Sequence, residues 1–249
     1  MSPLADVAKV FTDAKAVDSR ALNRAGVQPF RTVVARSLYK LRRGSDDPIV
    51  NELAQNGIVV LEDFLSDADF TAVEQEAEAF MAATVPTYTH HWGTTEVEHF
   101  HLTQLTNLTS DAGDTYPHLD RWREQDRVRQ LVADGERRNG TAYHGSSLVE
   151  RLTLGDYSDP DSQTDLHVDT FFNTHTIWLY LDDVTEANAP LEYVLGSHRI
   201  DWVRLRHDYH ASVHAEVKKS RRVTDEEVQA RGLQPRKVTC GRNTLVIAN

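Results

Sequence analysis

The chain has 249 residues, 27 of them basic and 38 acidic, for a formal net charge of −11 with histidine neutral. That balance argues against a nucleic-acid binder, which needs a cationic surface to neutralise phosphates, and no apolar stretch approaches the roughly 20 residues of a membrane-spanning helix. With 40% hydrophobic and 26% charged residues, the composition is that of a globular protein with one large core.

Residues 1–47 read as a helical extension. The opening MSPLADVAKVFTDAK lacks the apolar centre of a secretion signal. The single cysteine, Cys240, cannot form an internal disulfide, as expected of a protein kept in the cytoplasm. Residues 30–43 set Arg31, Arg36, Lys40, Arg42 and Arg43 around Val33, Val34, Leu38 and Leu41, and Gly44 and Pro48 end the run. This spacing predicts an amphipathic helix laid on the outside of the fold with its charges in water. From Pro48 the signals become regular. A short helix over residues 49–55 meets the turn pair Asn56-Gly57, and the apolar run 58–61 reads as a strand. Ser66-Asp67-Ala68-Asp69 is a capping-type start for a helix that presents Phe70, Val73, Ala77 and Phe80 on one face. A second helix is expected over residues 119–136, with Trp122, Val128, Leu131 and Val132 turned inward.

The last hundred residues look predominantly β, with runs at residues 148–154, 164–169, 176–182, 191–194 and 237–248 separated by loops rich in Gly, Pro, Asp and Asn. Crossover helices for a parallel α/β sheet are missing. The expected class is therefore mainly β with flanking helices (α+β), a two-sheet jelly roll over residues 48–249. The stretch 206–222, with His207, His210, His214 and many charges, is expected to be a solvated loop or helix.

Twelve histidines raise the question of metal binding. Chance alone gives roughly two His-x-Asp or His-x-Glu pairs at this carboxylate content, and the chain has His118/Asp120, His167/Asp169 and His214/Glu216. The first follows Pro117 at a helix start, where aspartate is explained by capping. The last lies in the polar stretch. His167-Val168-Asp169 instead lies in an extended run, and residues two apart on a strand project from one face. Imidazole and carboxylate would then converge, supplying two of the three protein ligands of a facial iron site and leaving positions for co-substrate and dioxygen. His90, His91, His99 and His101 have no matching downstream pattern and are set aside as a second cluster.

Downstream, Thr176-Ile177-Trp178-Leu179-Tyr180-Leu181-Asp182-Asp183-Val184 is followed by Leu191-Glu192-Tyr193-Val194 and Gly196-Ser197-His198-Arg199. Together with His167-Val168-Asp169-Thr170, this run resembles the phytanoyl-CoA dioxygenase family of iron- and 2-oxoglutarate-dependent oxygenases, and residues 56–66 resemble that family's opening strand and helix start. The resemblance implies a double-stranded β-helix of the cupin-like kind, with Fe(II) held by His167, Asp169 and a distal histidine. It implies 2-oxoglutarate as co-substrate, with Trp178 lining its pocket, and dioxygen and a small molecule as the other reactants. It also implies hydroxylation of an unactivated C–H bond with release of succinate and CO2. Related halogenases carry a small residue in place of the carboxylate, so Asp169 favours hydroxylation.

In the family the distal histidine follows a strand like residues 243–249, and a 2-oxoglutarate-binding arginine lies further on. The chain stops before either, which is expected of a shortened reading of a longer protein. The other reading is a non-catalytic jelly-roll protein of the same family acting as a binding module. Neither substrate nor oligomeric state is legible.

Overall fold

The structure, a computed structural model, describes residues 19–83, 88–92, 100–108, 114–137, 147–155, 166–170, 174–188, 190–214 and 221–249. The sheet at the centre of the core has three antiparallel strands, β1 (Ile58–Leu61), β10 (Thr244–Ala248) and β6 (Thr176–Tyr180), with β10 in the middle. All five residues of β10 are buried. A strand covered on both faces must be apolar throughout, which is why Leu245-Val246-Ile247-Ala248 shows no polar alternation. Leu245 and Ile247 pack with Val50, Leu53, Val59 and Leu131, whereas Val246 and Ala248 pack with Ile58 and Val238. The register sets Val246 between Val60 and Trp178.

Local chemistry places the elements around that sheet. Helix α3 (Pro48–Asn56) begins where the Asp47 carboxylate accepts the Ile49 N–H at 2.9 Å and ends at Gly57, whose φ of +84° is costly for any residue with a Cβ. A Cβ at Gly57 would overlap the Tyr193 hydroxyl and the His198 ring. Ser66 starts α4 (Asp67–Ala83), with its Oγ accepting the Asp69 N–H at 3.2 Å, and Phe70, Val73, Ala77 and Phe80 form the buried face. Asn243 turns the chain into β10 at φ +57°. Its amide Oδ1 accepts from Leu65 N and its Nδ2 donates to Leu65 O, clipping the loop before α4 to the central sheet.

Three further sheets complete the described strands. β2 (Tyr88–Trp92), β3 (Phe100–Leu108) and β4 (Ser147–Gly155) form an antiparallel sheet in that order. β5 (His167–Val168) pairs with β8 (Arg221–Arg222), and β7 (Glu192–Val194) pairs with β9 (Pro235–Lys237). Among the described residues these sheets do not close into a barrel. No helix among them is long and apolar enough to cross a membrane.

Four expectations need correction. The run 237–248 is two strands, β9 and β10, because Gly241-Arg242-Asn243 turns the chain between them. The helix expected over residues 119–136 breaks into α5 (Pro117–Arg121), a 3-10 turn at Trp122–Glu124 and α6 (Asp126–Glu136), where Gln125 adopts an extended ψ of 139°. The stretch from residue 206 begins in a helix, one of the two forms expected there, but not a solvated one: α7 (Trp202–His214) buries Arg204, Asp208 and Ser212. With α8 (Asp225–Ala230) it makes the carboxyl-terminal part more helical than its turn-rich sequence implied.

The fourth concerns α2 (Val27–Leu41), which follows the short α1 (Arg20–Arg24). Both helices pack on α7, yet α2 turns charge inward: Arg31 is fully buried, while Phe30, Leu38 and Leu41 are exposed. Polar partners on the body of the protein explain the inversion. Arg36 donates to Asn249 Oδ1 at 3.2 Å, and the Tyr39 hydroxyl donates to Gly135 O at 3.0 Å.

Candidate metal centre

Strand β5 is only two residues long and is held by β8. His167 stands opposite Arg222 and Val168 opposite Arg221, and Val223 N donates to Leu166 O at 2.8 Å. This extended backbone sends His167 and Asp169 to one side, with His167 Nε2 3.4 Å from Asp169 Oδ1. The imidazole is half-buried and the Asp169 side chain is 69% exposed, so the carboxylate faces open space. Past the pair, the Thr170 and Thr174 hydroxyls lie 3.2 Å apart.

One ring nitrogen and one carboxylate oxygen at this separation form a donor set suited to iron. Among the described residues no group of three or more His, Cys, Asp or Glu comes close enough to hold a metal. The other histidines on the carboxyl-terminal side are engaged elsewhere. His210 stacks on His214 at 6.2 Å, His207 Nδ1 lies 3.6 Å from Glu227 Oε2, and His175 lies against the buried Glu136 carboxylate. Asp120, of the first His-x-Asp pair, is bound by Arg123 at 2.8 Å. Glu216 and His99 lie outside the described residues.

Trp178 is on β6, packed against the cluster of Ile58, Val238, Val246 and Ala248. Its described neighbours are thus apolar core, and among the described contacts none joins it to the His167–Asp169 pair.

His198, in the Gly-Ser-His turn, is a structural residue. Its Nε2 donates to Ala54 O at 3.0 Å, tying the turn to the end of α3 beneath Gly57. Burial, then the nearby Arg36, Arg199 and Arg204 cations, push its pKa down to about 4, while the Ala54 bond works the other way. A depressed histidine pKa means that the unfolded chain binds more protons than the native one between about pH 6.5 and pH 4. The stability contributed by neutral His198 is therefore fully present above the unfolded value and is lost as pH falls toward the folded one, by at most about 3 kcal/mol. Denaturant titrations at pH 7 and pH 4.5 should show this loss in the wild type and a shallower one in His198→Gln. Equal slopes would contradict the assignment.

What the sequence reading missed is the ion network beneath β8. Arg221 Nη1 and Nη2 donate to Glu227 at 2.6 and 3.1 Å, and Arg221 Nε lies 2.7 Å from Asp208 Oδ1. The signal was partly present. Thr224-Asp225-Glu226-Glu227 is a capping-box pattern, and Thr224 Oγ1 accepts the Glu227 N–H at 3.3 Å to start α8.

The phytanoyl-CoA dioxygenase family profile matches residues 53–232. The chain belongs to that family, whose cofactors are Fe(II) and 2-oxoglutarate. No curated protein matches it. Among solved structures it is similar to the epimerase SnoN in complex with Fe3+, alpha-ketoglutarate and nogalamycin RO, at 14% identity and a TM-score of 0.46 over 80% of this chain and 72% of that one. It is also similar to SnoN described as a non-heme alpha-ketoglutarate-dependent epimerase from nogalamycin biosynthesis, at 13% identity and a TM-score of 0.47 over 81% and 72%.

Proposed function

We propose that the chain is an Fe(II)- and 2-oxoglutarate-dependent oxygenase that hydroxylates an unactivated C–H bond of a small molecule in the cytoplasm. The substrate gains one oxygen atom of dioxygen, and 2-oxoglutarate leaves as succinate and CO2. In this reading residues 48–249 form a double-stranded β-helix preceded by a helical extension, residues 1–47. The observation that supports it best is the approach of His167 Nε2 to Asp169 Oδ1 at 3.4 Å on one face of β5, in a chain of this family.

His167 and Asp169 would hold the iron, which with 2-oxoglutarate supplies the oxidising power for C–H cleavage. The protein's own work is positional. The β5–β8 ladder fixes the imidazole, and the open side of Asp169 leaves room for reactants. Trp178 is assigned to the wall of the 2-oxoglutarate pocket. It stands on β6, the next strand in the chain after the pair.

Anaerobic addition of Fe(II) and 2-oxoglutarate should produce the visible charge-transfer absorption of the chelate, and succinate should form only after oxygen is admitted. Absence of the band would favour the binding-module reading, and succinate formed without oxygen would overturn the oxygenase reading.

A further inference from the structure

Two consecutive arginines in β8 have opposite circumstances. Arg221, opposite Val168, is neutralised by Asp208 and Glu227. Side chains alternate along a strand, so Arg222 projects to the other face, and its directly opposed neighbour there is His167. Cβ atoms of opposed residues lie about 5 Å apart, which brings the guanidinium within reach of whatever binds at the His167–Asp169 pair. Arg222 Nη1 is buried and has no hydrogen-bond partner among the described residues. A buried guanidinium nitrogen without an acceptor is costly unless something else supplies one, and the two carboxylates nearest in the network are committed on the opposite face.

We propose that Arg222 is an oxyanion-binding residue of the metal centre, receiving a carboxylate or phosphate of a molecule seated beside His167 and Asp169. The planar fork of arginine suits such groups because it donates two parallel hydrogen bonds to two oxygens. The inference rests on the oxygenase reading for the identity of that site, and it assigns the reactants a property the pair itself does not, a negatively charged group on the β8 side. The group belongs to the organic substrate and not to the far carboxylate of 2-oxoglutarate, whose binding by an arginine the family resemblance already implies.

The test compares wild type, Arg222→Gln and Arg222→Lys by calorimetric titration with inorganic phosphate, and by the iron chelate band with 2-oxoglutarate and with pyruvate, a 2-oxo acid that lacks the far carboxylate. Phosphate binding is expected to weaken about tenfold or more in Arg222→Gln and to recover in part in Arg222→Lys. All three melting temperatures should agree within about 2 °C, because among the described residues Arg222 makes no ion pair whose loss would unfold the chain. If 2-oxoglutarate and pyruvate then bind both variants as they bind wild type, the anion is the substrate's. If 2-oxoglutarate alone weakens in Arg222→Gln, the arginine serves the co-substrate and the proposal is overturned. Phosphate binding that is absent in wild type, or unchanged in Arg222→Gln, overturns the proposal. The two readings fail separately: Arg222-dependent phosphate binding without any chelate band removes only the oxygenase assignment, and a chelate band with Arg222-independent anion binding removes only this one.

Discussion

His167→Ala and Asp169→Ala should each abolish 2-oxoglutarate-dependent succinate formation, lowering it at least about a hundredfold, because even outer-shell partners of metal ligands cost 10–100-fold when removed. The reason lies in the small number of donors. With an imidazole and a carboxylate 3.4 Å apart, taking either away leaves one protein atom where two converged, and a single monodentate side chain does not hold a divalent ion against water. Asp169 supplies the carboxylate of the pair, so its loss should weaken metal binding more than the loss of the imidazole. The double variant should be no worse than either single one, since residues that act as a unit fail as a unit. Neither change should unfold the protein: Asp169 is largely exposed, His167 is half-buried, and surface substitutions of this kind usually fall within about 0.5 kcal/mol. Metal content by mass spectrometry, succinate yield and thermal melting separate the effects. Retention of iron and turnover in His167→Ala would remove the assigned centre.

The pair was legible because its geometry is local. A period of two along an extended run needs no knowledge of the rest of the fold, and the same holds for the Ser66 cap, the apolar stripe of α4 and the strand 58–61, all of which the structure contains. Elements whose character depends on distant partners were not legible. Arg31 and Arg36 read as solvent-facing because a charge in isolation belongs in water, yet Arg31 donates to Gln28 Oε1 one turn back on its own helix and Arg36 to Asn249 on the body of the protein. Residues 206–222 read as a polar surface because each charge was weighed alone. Asp208, Arg221 and Glu227 become buried together, at separations of six and thirteen residues, and no periodicity announces such a group. Arg222 beside His167 is a further such step, since the two are 55 positions apart and meet only through strand pairing. Hydrophobic patterning reports which side of an element is buried. It does not report which polar groups bury one another.

The buried network should also dominate stability. Glu227 is 1% exposed, and it faces Arg221 through both guanidinium nitrogens and His207 Nδ1 at 3.6 Å. Glu227→Ala leaves Arg204 and Arg221 to share the single carboxylate of Asp208, whose pKa burial raises even though both arginines draw it down. Breaking a buried pair from one side costs about 3–5 kcal/mol, because an unpaired charge remains where water cannot reach it. At roughly 2–4 °C per kcal/mol for a chain of this size, the melting temperature should fall by about 10 °C. Glu227→Gln, which keeps the shape and one acceptor, should lose less. Replacing both partners, Arg221→Met with Glu227→Leu, should be milder than Glu227→Ala alone, since no orphaned charge is left. The damage should reach the His167–Asp169 pair, because Arg221 anchors the strand that pairs with His167. Slow hydrogen exchange at Val223, whose N–H bonds Leu166 O, should disappear in Glu227→Ala and return in the double variant. A Glu227→Ala protein that melts within about 2 °C of wild type with Val223 still protected would mean that β8 is held by its backbone pairing to β5 rather than by the charges beneath it.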